Sequence, residues 1–138
     1  MIAYVDSSVI LRMVLGQPNA LAEWKQIDRG VSSALIRVEL LRTLDRLRLR
    51  TGLTDAEIAR RRAVILQAVD LLELVEIDPV VLDRAAQPLP TEIRTLDAIH
   101  LATALLWREG STAELVMATH DHRLGTAAQA HGFKVVGI

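Results

Sequence analysis

Four acidic residues, Asp6, Glu39, Asp97 and Asp121, stand where carboxylates could act together. In open α/β sheets ligands bind beyond the carboxyl ends of the strands. Asp6 directly follows the apolar run Ile2 to Val5, and Asp121 follows Leu115 to Ala118 after Thr119 and His120. Both also precede a helical pattern, so an N-cap accepting a backbone N–H explains each one singly. Asp97 lies on the stripe that carries Leu101 and Ala104, with no Lys or Arg at i+3 or i+4 to pair with it. A carboxylate on an apolar stripe is costly unless hydrogen bonds, a charge or a metal compensate it. Thr95 is expected to cap that helix, and an acid favoured by the helix dipole is the competing explanation for Asp97. Glu39 shares its helix face with Arg42, Thr43, Arg46 and Arg50, so spacing alone makes it part of a solvated ion-paired face.

The chemistry resides in the set. Converging carboxylates about 5 Å apart, at an effective dielectric of about 20, repel by roughly 3 kcal/mol per pair. A divalent cation makes such an arrangement favourable. Hard carboxylate oxygens without soft ligands select Mg²⁺ or Mn²⁺, and sites of that kind run phosphoryl or phosphodiester chemistry. His100, one turn after Asp97, reads as a packed, hydrogen-bonded histidine. His120, His122 and His131 show no zinc-site spacing.

The elements that must position these acids alternate strands with helices. Strands are expected at Ile2–Val5, Val31–Ala34, Leu71–Ile77, Leu115–Ala118 and Lys134–Val136. Helices are expected at Ser7–Leu15, Ala20–Asp28, Leu35 to about Arg50, Thr54 to about Val69, a short one after Asp78-Pro79, Leu96–Arg108 and Asp121–His131. Thr54 followed by Glu57 is a capping-box signature. The alternation predicts a three-layer α/β/α sandwich with a short, mainly parallel sheet of about five strands. At 138 residues the chain is expected to form one domain.

Composition narrows the classes. With 51% hydrophobic and 24% charged residues the chain reads as globular. It has no cysteine, which removes disulfides, zinc–thiolate sites and thiol nucleophiles. Asp6 falls where a secretory signal needs an apolar core, and no apolar run approaches membrane-spanning length, so a soluble cytoplasmic protein is expected. Net charge is −1, yet 14 of the 16 basic residues are arginine, a side chain suited to phosphate; a GC-rich genome produces the same bias. Aromatic residues are 3%, too few for a base-stacking platform.

Four segments in order resemble the PIN-domain ribonucleases, most closely the VapC toxins of type II toxin–antitoxin modules. They are Tyr4-Val5-Asp6-Ser7-Ser8, Ser33 to Arg42 around Glu39, Leu96-Asp97-Ala98-Ile99-His100-Leu101-Ala102-Thr103-Ala104, and Met117 to Leu124 followed by Ala127-Ala128 and Gly132. Thr51 to Pro90 carries little signature. The resemblance implies that Asp6, Glu39 and Asp97 coordinate metal, and it reverses the spacing-only reading of Glu39. It implies that Asp121 holds a metal or a coordinated water, and that Ser7 and Thr119 position the site or the scissile phosphate. Mg²⁺ (or Mn²⁺) would be the cofactor and RNA the substrate, with Arg37, Arg42, Arg46, Arg94 and Arg123 as flanking positive charge and Arg60-Arg61-Arg62 as a second basic patch. The partners it implies are a cognate VapB-like antitoxin and a second copy in a homodimer. The competing readings are a PIN-fold binding module without turnover and a flavodoxin-like phosphoacceptor domain. The latter wants paired acids after the first strand and a lysine after the last; here Asp6 is followed by two serines and Lys134 begins its strand. An aspartyl phosphatase with a DxD turn is disfavoured by Ser8.

Overall fold

A computed structural model describes residues 1–138. Its elements run β1 (Ile2–Val5), α1 (Ser7–Val14), a 3-10 helix (Ala22–Gln26), β2 (Arg29–Ser33), α2 (Ile36–Thr51), α3 (Asp55–Asp70), β3 (Glu73–Val75), α4 (Pro79–Ala85), α5 (Thr95–Glu109), β4 (Leu115–Ala118), α6 (His122–Ala130) and β5 (Val135–Val136). The strands form one sheet in the order β3-β2-β1-β4-β5, and every pairing is parallel. The expected sandwich is therefore found, with a sheet that is wholly rather than mainly parallel. Its order differs from the flavodoxin-like 2-1-3-4-5, so the phosphoacceptor reading loses its fold.

Two apolar clusters cover the faces of the sheet. Ala3 and Val5 of β1 pack with Val9 and Ile10 of α1, Ile36, Leu40 and Leu44 of α2, and Ile65 and Val69 of α3. Tyr4, on the opposite face by strand alternation, packs with Leu101, Ala104 and Leu105 of α5 and Leu124, Ala127 and Ala128 of α6. The stripe of α5 that carries Asp97 is thus a core stripe.

Chain direction reverses at β1. The connections step outward through β2 and β3, then return to place β4 on the other side of β1. Such a reversal opens a crevice beyond the carboxyl ends of the two flanking strands. Asp6 leaves β1 there, and Thr119 to Asp121 leave β4 there.

Three local expectations are corrected. Ala20–Asp28 is not an α-helix: Asn19 takes a left-handed φ of 59°, no side chain caps the segment, and only five residues turn, with i→i−3 bonds such as Trp24 N–H to Leu21 O. Thr95 does not cap α5; the N-cap position falls on Arg94 without a side-chain bond. β3 is three residues long, because Leu71 and Leu72 close α3 and β3 pairs only with Val31–Ser33. The capping box at Thr54 and Glu57 forms as expected. No helix is long and apolar enough to cross a membrane.

Candidate active site

Asp6 is 5% exposed and sits at the N-cap of α1. Its Oδ2 accepts from the Ser8 backbone N–H at 3.2 Å, from the Ser8 hydroxyl, and from the Thr119 hydroxyl at 3.0 Å. Thr119 Oγ1 in turn accepts the Asp121 N–H at 2.9 Å, and Ser8 Oγ accepts the His120 N–H at 2.9 Å. One short network therefore ties the ends of β1 and β4 together. Asp121, the N-cap of α6, accepts from the Arg123 and Leu124 N–H groups, both through Oδ1.

Glu39 and Asp97 each lie in the first turn of a helix, α2 and α5 respectively, where the dipole favours an anion. The ion-paired face expected for Glu39 does not form. Arg42 pairs with Asp45 and Arg46 reaches Thr43, while Glu39 Oε2 accepts from His100 Nε2 at 2.6 Å. Asp97 has no hydrogen-bond partner on either oxygen, so it is not a capping residue.

The N-cap explanation of Asp6 and Asp121 is thus correct, and it accounts for only one oxygen of each. Asp6 Oδ1, Asp121 Oδ2, Glu39 Oε1 and both Asp97 oxygens make no hydrogen bond within the protein. Glu39, Asp97 and Asp121 line one cavity of about 650 Å³. Half-burial pushes the Asp97 carboxyl above the ordinary aspartate range, and the charges of Asp121, Asp6 and Glu39 push it further, against an opposing effect of His100. The other three acids therefore lie close enough to Asp97 for their charges to be felt there.

The donor set suits a hard divalent cation, since hard oxygens free of other partners surround the cavity and no sulfur ligand exists. No three acidic or imidazole side chains stand together closely enough in this structure to hold a metal ion between them. The fit is one of donor chemistry and shared cavity.

Arg94 and Arg123 line the same cavity. Ser7, Arg42 and Arg46 line an adjoining one of about 400 Å³, which shares Glu39 and Leu96 with the first. Arg37 lines neither, and Arg60, Arg61 and Arg62 belong to α3, away from both. The hydroxyl bound into the Asp6 network is that of Ser8 rather than Ser7.

Nothing in the sequence pattern singles out Tyr4 as a site residue, while the reading of His100 as a packed, hydrogen-bonded histidine is what the structure shows. His100 is fully buried, its Nδ1 2.7 Å from the Tyr4 hydroxyl, which accepts the Ser33 N–H at 3.1 Å. Burial alone would lower the imidazole pKa, but the Glu39 hydrogen bond and the charges of Glu39, Asp6 and Asp97 outweigh it and raise it. Complete burial drives the Tyr4 hydroxyl well above its usual range.

The PIN domain family profile matches residues 3–134. The chain belongs to the PIN-domain family. Within it this PIN domain is VapC-like. It is 38% identical over 136 residues to Ribonuclease VapC46 of Mycobacterium tuberculosis (strain ATCC 25618 / H37Rv), covering 96% of this chain and 95% of that one. It is 33% identical over 137 residues to Ribonuclease VapC47 of Mycobacterium tuberculosis (strain CDC 1551 / Oshkosh), covering 94% and 92%. Ribonuclease VapC35 of the latter strain is 34% identical over 139 residues, covering 96% and 94%. The family read from four short motifs is the family found.

Proposed function

We propose that this PIN domain is a divalent-metal-dependent ribonuclease that hydrolyses RNA phosphodiester bonds, acting as the toxin of a VapBC-type pair in the cytoplasm. The observation that supports the reading is that Glu39, Asp97 and Asp121, from three elements, line one cavity, and that the Asp97 carboxylate is disfavoured by half-burial and by the charges of Asp121, Asp6 and Glu39. Asp6, Glu39 and Asp97 would hold Mg²⁺ or Mn²⁺ through their unshared oxygens, and Asp121 would hold the metal or a water bound to it. Such an ion, when bound, lowers the pKa of a coordinated water and offsets charge on the phosphate. The protein's own part is to fix these oxygens through Ser8, Thr119 and His100, and to offer Arg94 and Arg123 to the phosphates that enter the cavity.

The test is a cleavage assay on RNA with the metal removed and restored. EDTA is expected to stop cleavage, and Mg²⁺ or Mn²⁺ to restore it, with products bearing 3′-hydroxyl and 5′-phosphate ends. Full activity in EDTA would refute the reading. Binding without turnover instead predicts RNA retention and no fragments under any metal condition.

RNA affinity is expected to fall with salt, since phosphate contacts release counterions at about 0.7 per neutralised phosphate on a single strand. Replacing both Arg94 and Arg123 with Gln is expected to reduce the magnitude of the log–log slope by about 1.4, at 0.7 for each contact. Filter binding across a salt series measures it, and an unchanged slope would remove these arginines from the RNA path. A VapB-like antitoxin and self-association into a dimer follow from the same reading; co-expression with a neighbouring antitoxin gene product is expected to suppress cleavage.

A further inference from the structure

Glu39 differs from the other three acids in how it is held. Asp6 is held by the Ser8 N–H and by the Ser8 and Thr119 hydroxyls at the strand ends, Asp121 by two N–H groups of its own helix, and Asp97 by no hydrogen bond. Glu39 is fixed across helices, by a side chain of α5, while Arg42 and Arg46 on its own helix face are engaged elsewhere. The support is a buried chain: Ser33 N–H to Tyr4 Oη, Tyr4 Oη to His100 Nδ1, and His100 Nε2 to Glu39 Oε2, at 3.1, 2.7 and 2.6 Å. Tyr4 and His100 are both fully buried, their rings edge to face with centroids 5.9 Å apart. A carboxylate only accepts, so Nε2 carries the hydrogen in this bond. In the neutral ring Nδ1 is then the acceptor and the Tyr4 hydroxyl its donor.

The two elements involved each present two residues. Strand alternation puts Tyr4 on the same side of β1 as Asp6, and helical spacing puts His100 one turn from Asp97. β1 and α5 each therefore carry one acid of the set, Asp6 and Asp97, and one member of the chain that reaches Glu39. A polar chain buried this deeply is favourable only when every member is satisfied, which confines the Glu39 carboxylate to one orientation and leaves Oε1 without a protein partner.

We propose that Tyr4 and His100 are positioning residues for Glu39, setting the metal affinity of the acidic site without touching metal or RNA. The proposal rests on the metal-dependent reading above and names two residues that reading does not require. Hydrogen-bond partners of ligating side chains typically change metal affinity by about 10- to 100-fold when removed.

The experiment measures Mn²⁺ binding to the full chain without RNA, by calorimetry or by electron paramagnetic resonance of free Mn²⁺. His100→Phe is expected to weaken binding by about 10- to 100-fold. Tyr4→Phe, which keeps the ring's shape, is expected to weaken it in the same direction by less. His100→Gln, whose amide can still donate to Glu39, is expected to recover most of the loss. RNA cleavage by Tyr4→Phe and His100→Phe is expected to fail at low Mn²⁺ and to return at high Mn²⁺, which a general loss of structure would not produce. Imidazole ¹⁵N shifts of His100 in the unaltered chain are expected to show hydrogen on Nε2. If His100→Phe does not fold, Tyr4→Phe and the ¹⁵N shifts carry the test. A folded Tyr4→Phe and His100→Phe with unchanged Mn²⁺ affinity, or a bare Nε2, would overturn the positioning role while leaving the nuclease reading intact. An unaltered chain that neither binds Mn²⁺ nor cleaves RNA would overturn both.

Discussion

Asp97→Asn is expected to lower metal-dependent RNA cleavage by at least about a thousandfold while the fold survives. Losing one metal-ligating charge forfeits several kcal/mol of transition-state stabilisation, and about 4 kcal/mol corresponds to a factor of about 1,000. Asp97 has two oxygens without partners and serves no cap, so the amide leaves no broken scaffold contact behind. Stability should move the other way. An acid whose pKa is higher folded than unfolded holds its proton more tightly in the folded state. Its ionisation penalty is absent below the unfolded pKa and fully present above the raised folded one. Asp97 is such an acid, so in EDTA at neutral pH Asp97→Asn is expected to melt at a higher temperature than the unaltered chain, and the gap should close as pH falls below the aspartate range. Calorimetric melting beside the cleavage assay checks both signs. A variant with near-normal cleavage would remove Asp97 from the site.

Gly137→Ala is expected to cost several kcal/mol and to impair the site from outside it. Gly137 has a φ of 102°, and a Cβ there would lie 2.5 Å from the Thr119 carbonyl oxygen, a backbone atom that cannot rotate away. Left-handed backbone alone costs an L-residue about 1 to 2 kcal/mol, and the clash adds to it by pushing the residue whose hydroxyl holds Asp6. Gly132→Ala is the control: its φ is 78° and nothing lies within 4 Å of the added carbon. It is expected to lose only the conformational part, about 1 to 2 kcal/mol, with cleavage unchanged. Urea melts and cleavage rates of the two variants separate the contributions. Equal effects would show that the Thr119 contact is immaterial.

How much of the site the sequence disclosed depended on whether its cause was local. Asp6 and Asp121 were legible because a strand end followed by an acid and a helix start is a pattern of consecutive residues, and the caps they form are local bonds. Asp97 was legible because its helical stripe is apolar, and Leu101 and Ala104 on that stripe are fully buried. Glu39 misled on spacing. Helical geometry put arginines beside it, and nothing in α2 announced that Asp45 and Thr43 would engage them first. The resemblance supplied Glu39 where spacing did not. The Tyr4–His100 pair spans 96 positions and Ser8 reaches Thr119 and His120 across more than 100; no periodicity encodes such pairings, which exist only once β1, β4 and α5 are assembled. The same distinction explains the fold. The long helices and the capping box at Thr54 are local, whereas β3 is trimmed by what the sheet can pair.

The central strand of the sheet is the first to be synthesised, and its partner β4 is among the last. β1 cannot be fully flanked, nor Asp6 receive its Thr119 hydrogen bond, until Leu115–Asp121 has cleared the ribosome. Strand pairing across so long a stretch of chain is also slow. For an enzyme proposed to cut RNA, made by a machine built of RNA and reading an RNA template, the parallel topology would act as a timer that withholds the cutting edge until β4 and the turn after it have been made.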